Sequence, residues 1–372
     1  MGPVLTVDLS RVAFHRFTPE EPLESGAAVL DDPFGGGQTT WQHRRWTSEE
    51  REIGFTATEL VPSWTARTPA GSWLEVELQA RTSAGHLTRW YVMGRWAEGD
   101  ADVHRTSVPG QGDDDGDVAV DTLVARHGAT AFRVRVTLYG SGAWVSGLGV
   151  MASAVPQRPA VPVSEPGTAG GIVLEVPAHS QQAHHGHYPQ WDGGGENWCS
   201  PASVAMVLEF WGRGPHRDDL AWVGEGDPCP AVDHAARGMY DHSYQGTGNW
   251  PFSVAYAGSH GLSGFVTRLR SLTELERFVA AGIPVITSLS FKDHELPGSG
   301  YSTRGHIMVV AGFTPSGDVV ANDPAAPSDG EVRRVYPRAA FENVWLRSTG
   351  SGGIVYVIHP PHVPLPSSDG NW

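Results

Sequence analysis

The feature that most constrains this chain is a change in the period of its apolar residues. Up to about residue 152 they recur at every second position: Leu74, Val76 and Leu78 alternate with Glu75, Glu77 and Gln79, and Phe132, Val134, Val136 and Leu138 with Arg133, Arg135 and Thr137. A two-residue period turns one face of a strand to a core and the other to solvent. Shorter runs around Phe55, Trp90 to Trp96 and Val118 to Val124 are separated by Gly, Pro and Asp clusters. Repeated short strands with turn signals between them predict an all-β N-terminal sandwich, jelly-roll-like, over residues 1–152.

Residues 153–170 are rich in Pro, Ala and Gly and carry no apolar period, which is linker chemistry. A second domain follows over residues 171–360, with a Pro-broken tail at 361–372. It opens with a strand at Ile172 to Val176 and continues through a polar, Gly- and His-rich segment. A helix is expected from Pro201 to Trp211, with proline in its first turn and Gly212 as its stop. Thr273, with Glu276 three residues on, predicts a capping box at the start of a second helix. Strand-like runs at 283–290, 306–313, 318–322, 332–336 and 354–358 complete an α+β pattern. A chain of 372 residues can bury two cores, and each half is expected to own one.

A net charge of −15 repels phosphate, so nucleic acid and anionic membrane are excluded as partners, leaving peptide, glycan or small-molecule ligands. No stretch approaches membrane-spanning length, and the first residues carry no charged segment followed by an apolar run; as written, the chain is expected to be neither anchored nor visibly exported. Its 14 tryptophans and 46 glycines match the composition of extracytoplasmic hydrolases, with a cytoplasmic location as the alternative. Cys199 and Cys229 are the only cysteines, too few for a disulfide framework.

Cys199 lies in ENWCSPASVAMVLEFWG, directly before the expected helix, where unpaired amides and the helix dipole stabilise negative charge. A buried structural cysteine is the commoner fate of an isolated Cys, but Asn197, Ser200 and three upstream glycines make a turn rather than a core. A nucleophilic thiol needs a base, and the base needs an orienting group. His306 opens the apolar strand GHIMVVAGF, and Asp323 closes the next one in VVANDP. In a hairpin symmetric about Pro315 and Ser316, Asp323 opposes Met308 and lies diagonal to His306 on the same face. A turn shifted by one residue would spoil that facing.

Taken together, VPAHSQ, WCSPASVAMVLEFWG, GHIMVVAGF and NDPA resemble peptidase family C39 and its C39-like relatives over roughly residues 172–358. The resemblance implies a papain-like cysteine peptidase domain with Cys199 as nucleophile, His306 as base, Asp323 as orienting group and Gln181 as a side-chain donor to the oxyanion. It implies cleavage of peptide or peptide-like amides through a thioester. Acyl transfer on the same fold is one alternative; a non-catalytic glycan or cell-wall binding protein is the other. Ser200 and Pro201 depart from the glycine that many relatives carry after the cysteine, and the interval from Gln181 to Cys199 is long. The N-terminal sandwich lies outside the resemblance.

Trp198, Asn249 and Trp250 are expected to line the substrate cleft. The cluster His179, His184, His185 and His187 in HSQQAHHGH matches no zinc spacing and is read as a solvated loop flanking the cleft. Neither a metal nor a cofactor is expected. The run Asp113, Asp114, Asp115, Gly116, Asp117 lacks the glycine and closing glutamate of a calcium loop and is read as a turn. Cys229, between two prolines, is read as structural. Trp41, Trp46, Trp64, Trp73, Trp90 and Trp96 are expected mostly in the core; only an exposed row of them would make a glycan platform.

Overall fold

Nine antiparallel strands make up the N-terminal part in the computed structural model, which describes residues 10–20, 23–35 and 37–372. They are β1 (Arg11–Phe17), β2 (Glu24–Asp32), β3 (Gly37–Thr47), β4 (Arg51–Arg67), β5 (Ser72–Thr82), β6 (Tyr91–Trp96), β7 (Gly116–Ala119), β8 (Thr122–Gly140) and β9 (Trp144–Ala154). Residues 1–9 of the expected sandwich lie outside the described residues. All nine strands belong to one hydrogen-bonded sheet with β1-β9-β4-β8-β3-β2 as its main path. The long strand β8 is the hub. Its first half pairs with β7 and β4, and its second half with β3 and β5. The exchange happens at a register break opposite residues 52–57, where Gly128 has φ +70° and a side chain would collide with Thr56.

The alternation of β5 has a consequence beyond the expected solvated face. Leu74, Val76, Leu78 and Ala80 enter the main core, yet Glu75, Glu77 and Gln79 are buried as well. They survive burial because Arg95 binds Glu75, Arg135 binds Glu77, and Arg133 binds Gln79. Trp64, Trp73 and Trp96 are fully buried. Trp41 packs edge-on to Trp73, Trp46 edge-on to Phe17, and Trp90 lies under Arg135, so no exposed row of tryptophans forms among these six.

The C-terminal part builds a six-stranded antiparallel sheet in the order β10 (Ser263–Arg268), β15 (Ile354–His359), β11 (Val285–Phe291), β12 (Thr303–Phe313), β13 (Val319–Asn322) and β14 (Arg333–Tyr336). Helices α1 (Cys199–Phe210), α2 (Pro230–Met239), α3 (Trp250–Ser259), α4 (Leu272–Ala280) and α5 (Arg338–Leu346) accompany it. α2 and α3 were not expected; each has proline in its first turn. The cap of α4 is Ser271, whose hydroxyl accepts from the Glu274 amide, two residues before the expected Thr273. Glu276 instead receives Arg338 at 2.8 Å and the amides of Gly167 and Ala169. In place of the expected strand at residues 172–176, Val173 makes one isolated bridge to Gly312 at the end of β12, and Gly170 makes another to Phe313. Their backbone approaches so closely that a side chain at Gly312 would collide with the Ile172 carbonyl.

Of the expected linker, Ser153 and Ala154 end β9, and residues 155–170 run as an extended strap along this second part. With few amides of its own, the Pro-rich strap passes those it has to side chains: Arg158 to Ser348, Val161 to Asn343 and Ser164 to Glu342. The tail is also docked. Asn371 is fully buried, Trp372 packs on Phe278, and the Gly370 carbonyl accepts from Phe14 of β1. No helix among the described residues is long and apolar enough to cross a membrane.

The face between the two parts corrects the expectation of separate cores. α3 and β10 pack on β4 and β9. Phe252 of α3 meets Trp64 and Trp96 edge-on at 6.2 and 5.4 Å, and these residues belong to one apolar cluster that also holds Leu60, Val254 and Val266. Ser63 accepts from the Val266 amide, and Arg268 reaches Ser153 and Glu59. Burying one large apolar side chain stabilises by about 1.5–3 kcal/mol, so removing either partner surface is costly to the other. A chain beginning at Gly171 should therefore lose the cooperative melt in calorimetry that the full chain shows. An independent C-terminal transition at unchanged temperature would contradict a shared core.

Candidate active site

α1 begins at Cys199, and its apolar residues are buried on every side: Ala202, Val204, Ala205, Met206, Val207 and Leu208. Such a helix is held by packing all round rather than by one face. Gly193 and Gly194, both at positive φ, turn the chain into it. Ser203, one turn after Cys199, donates to the carbonyl of Ile307, which fixes the helix start against β12 beside His306. Cys199 is partly exposed, and neither cysteine is in a disulfide.

The hairpin β12–β13 presents the next two groups. Its turn is shifted by one residue from the symmetric case: Phe313 pairs with Val319 and Gly312 with Val320. A bulge at Ala311 takes up the extra residue, so Val310 pairs with Ala321 and Val309 with Asn322. The facing that a shifted turn would have spoiled is thereby restored. His306 Nε2 lies 2.8 Å from Asp323 Oδ1, both side chains being shut off from solvent. Nδ1 is then the ring nitrogen left for the thiol, and Cys199 is near enough to add to the upward shift of the ring.

Asp323 is held by more than the histidine. Tyr301 donates to both carboxylate oxygens at 3.1 and 2.9 Å, Tyr336 donates to Oδ2 at 2.6 Å, and the Ala325 amide donates to Oδ1 at 3.0 Å. Burial opposes charge on this carboxyl, but the His306 charge and these donors hold it well below the usual carboxylate range. Burial likewise opposes charge on His306, and the Asp323 carboxylate, aided by Cys199, outweighs it to raise the imidazole to about 10. Because that value lies above the free one, the protonation of His306 adds stability that is fully present below about pH 6.5 as long as Asp323 is ionised. The contribution is lost as the pH rises through about 10. Cys229 differs: burial pushes its thiol up to about 11.

These groups open onto a cleft of about 700 Å³. Cys199, His306, Tyr244 and Trp250 are among the residues that line it. The N-terminal sheet adds to the lining through Glu59 of β4 and Val120 and Asp121 of the β7–β8 turn. Val120 holds φ +59°, a rare conformation for a β-branched residue. Asp121 accepts from the Trp250 amide at 2.9 Å, tying this turn to the start of α3. Burial pushes its carboxyl up to about 6.

Of the other expected residues, Trp250 is among those lining the cleft. Trp198 is not: it is fully buried, and its indole N–H donates to the Trp191 carbonyl. Asn249 is also fully buried, capping α3 through the Phe252 amide and donating to Asp241. Gln181 is buried beside the site: its backbone amide donates to the Pro324 carbonyl and its side-chain amide to the Glu196 carbonyl. One N–H of that side chain remains for another acceptor. Tyr301, Tyr336 and the Val120–Asp121 wall were missed in the sequence. A tyrosine in the Gly- and Ser-rich run GSGYST carries no periodic signal, and a wall contributed by a distant turn carries none either.

Residues 173–352 match the model of the Peptidase_C39 like family. Residues 11–153 match the model of the Peptidase C39 N-terminal domain, so the N-terminal part, expected to lie outside the resemblance, has a counterpart of its own. No curated protein matches. A solved structure described as a C39-like peptidase from Bacillus anthracis is 20% identical and covers 52% of this chain and 98% of its own, with a TM-score of 0.33; a likeness that low carries no argument. The two family matches relate this chain, through both of its parts, to the C39-like peptidases.

Proposed function

We propose that the chain is a cysteine peptidase, with a papain-like C-terminal part, acting on peptide or peptide-like amides held between its two parts. The observation that carries this reading is the imidazole of His306, bound by Asp323 and lining the same cleft as Cys199. The packing of the helix that bears the thiol on the sheet strand that bears the imidazole supports the papain-like reading.

In this mechanism His306 takes the thiol proton and the sulfur lone pair attacks the amide carbonyl. The oxyanion is met by the Cys199 backbone N–H and the free N–H of Gln181, donors worth about 3 kcal/mol each. His306 gives its proton to the leaving nitrogen as the C–N bond breaks, leaving a thioester on Cys199. Water, losing a proton to His306, adds to the thioester; the C–S bond breaks and the acid departs. Asp323 keeps the ring oriented and its charge matched throughout. Tyr301 and Tyr336 are positioning residues, acting on the carboxylate rather than on substrate. The N-terminal wall confines substrate over the thiol.

Two tests follow from these roles. Iodoacetamide should alkylate Cys199 in preference to Cys229, as read by peptide mass spectrometry. His306→Ala should slow that alkylation, and Cys199→Ser should lower turnover of a peptide library by about 10³-fold or more. Equal labelling of both cysteines, or turnover surviving in Cys199→Ser, would end the proposal. In NMR titrations the His306 ring, assigned by its loss in His306→Ala, should lose its proton near pH 10. Asp323→Asn removes the principal raising charge, so the midpoint should fall toward that of an exposed histidine; an unmoved midpoint would leave Asp323 without its assigned role.

A further inference from the structure

Two histidines of the segment expected to be a solvated loop are not solvated in the way that expectation requires. His184 is 1% exposed and faces Asp233 of α2, which is fully buried. Its Nδ1 lies 2.9 Å from Asp233 Oδ2 and 3.7 Å from Asp227 Oδ1. His187 Nδ1 lies 3.1 Å from Asp227 Oδ2 and 3.2 Å from Asp233 Oδ1. One ligand atom from each of the four residues is within 4.8 Å of all the others. A tetrahedral ion with bonds of about 2.0–2.1 Å holds its ligand atoms about 3.3 Å apart, inside the span of these contacts.

A second observation points the same way. Despite their 2.9 Å separation, His184 Nδ1 and Asp233 Oδ2 are each buried without a hydrogen bond. Both atoms are thus left without a hydrogen-bond partner inside the four-residue cluster. Two carboxylates side by side away from water also repel each other, which a dication relieves. The Cys229 amide donates to Asp227 Oδ1 at 2.9 Å, the kind of outer contact that orients a ligating carboxylate.

We propose that His184, His187, Asp227 and Asp233 form a structural site for one divalent transition-metal ion, zinc being the best fit. Two imidazoles with two carboxylates suit zinc, whereas calcium and magnesium take all-oxygen shells. His187, with its side chain one-third exposed, offers the way in. The ion staples the long interval between Gln181 and Cys199 onto α2. Gln181 opens the same short turn that ends at His184, and the ring of Trp198, the residue before Cys199, lies 6.1 Å from His184. The four residues are therefore positioning residues for the chain on either side of the thiol. The proposal stands whether or not the peptidase reading does.

The test uses the full chain carrying Cys199→Ser, so that the thiol beside His306 cannot hold the ion. After chelator treatment it is titrated with Zn²⁺ by calorimetry and with Co²⁺ by absorption. One ion per chain is expected, with a tetrahedral cobalt spectrum lacking thiolate charge transfer and a rise in Tm on adding zinc. Asp233→Asn and His187→Gln should each weaken zinc binding at least tenfold and remove the Tm rise. His185→Ala, whose side chain is 72% exposed, should leave both unchanged. If Asp233→Asn does not fold, the partly exposed His187→Gln and the parent titration decide. No stoichiometric ion, thiolate ligation from Cys229, or parent-like zinc binding in His187→Gln would overturn the site.

Discussion

A carboxylate with no access to water organises this site. Asp323 is fully buried, and leaving such a charge unpaired costs several kcal/mol. Its oxygens are met from four segments: His306 at the start of the buried run of β12, Tyr301 from the loop before it, Tyr336 at the end of β14, and the Ala325 amide in the turn after β13. Each donor limits where the others can be, so the imidazole has one orientation and one free nitrogen. The helix that begins at Cys199 is placed by a separate device, the burial of α1 on β12. Ser203 and the Ile307 carbonyl link the two.

The cleft above these groups depends on the contact between the two parts of the chain. Phe252 anchors α3 between Trp64 and Trp96, and α3 begins at Trp250, whose amide is held by Asp121 of the N-terminal sheet. The packing that makes one core continuous thus also fixes where the N-terminal sheet joins the lining of the cleft. Chain organisation and site geometry are, in this molecule, one physical problem. The two family matches fall on the same two parts, with the 155–170 strap between them.

Much of this was legible in the sequence because it is local. The alternation of β5 and β8, the helix after Cys199 and the strand opening at His306 all follow from short-range pattern. α2 could have been found: Val232, Ala235, Ala236 and Met239 follow helical spacing after Pro230, but the neighbouring glycines and histidines masked it. Trp198 and Asn249 were assigned to the cleft on residue type, and burial decided otherwise. Other features depend on contacts across long sequence separations. The bulge at Ala311 that rescues the hairpin register answers to the backbone of Ile172, and Asp227 and Asp233 reach His184 from some forty residues away. No single-segment pattern encodes such a meeting.

In the proposed function, Cys199 works in a cleft partly lined by the N-terminal sheet. A crystal structure of the full chain after reaction with a peptidyl chloromethyl ketone tests it most directly. The account predicts a thioether at Cys199 Sγ, the peptide lying between β12 and the Val120–Asp121 turn, and its carbonyl oxygen facing the Cys199 amide. A peptide bound to Cys199 but extending away from that turn, or an adduct on Cys229, would contradict it.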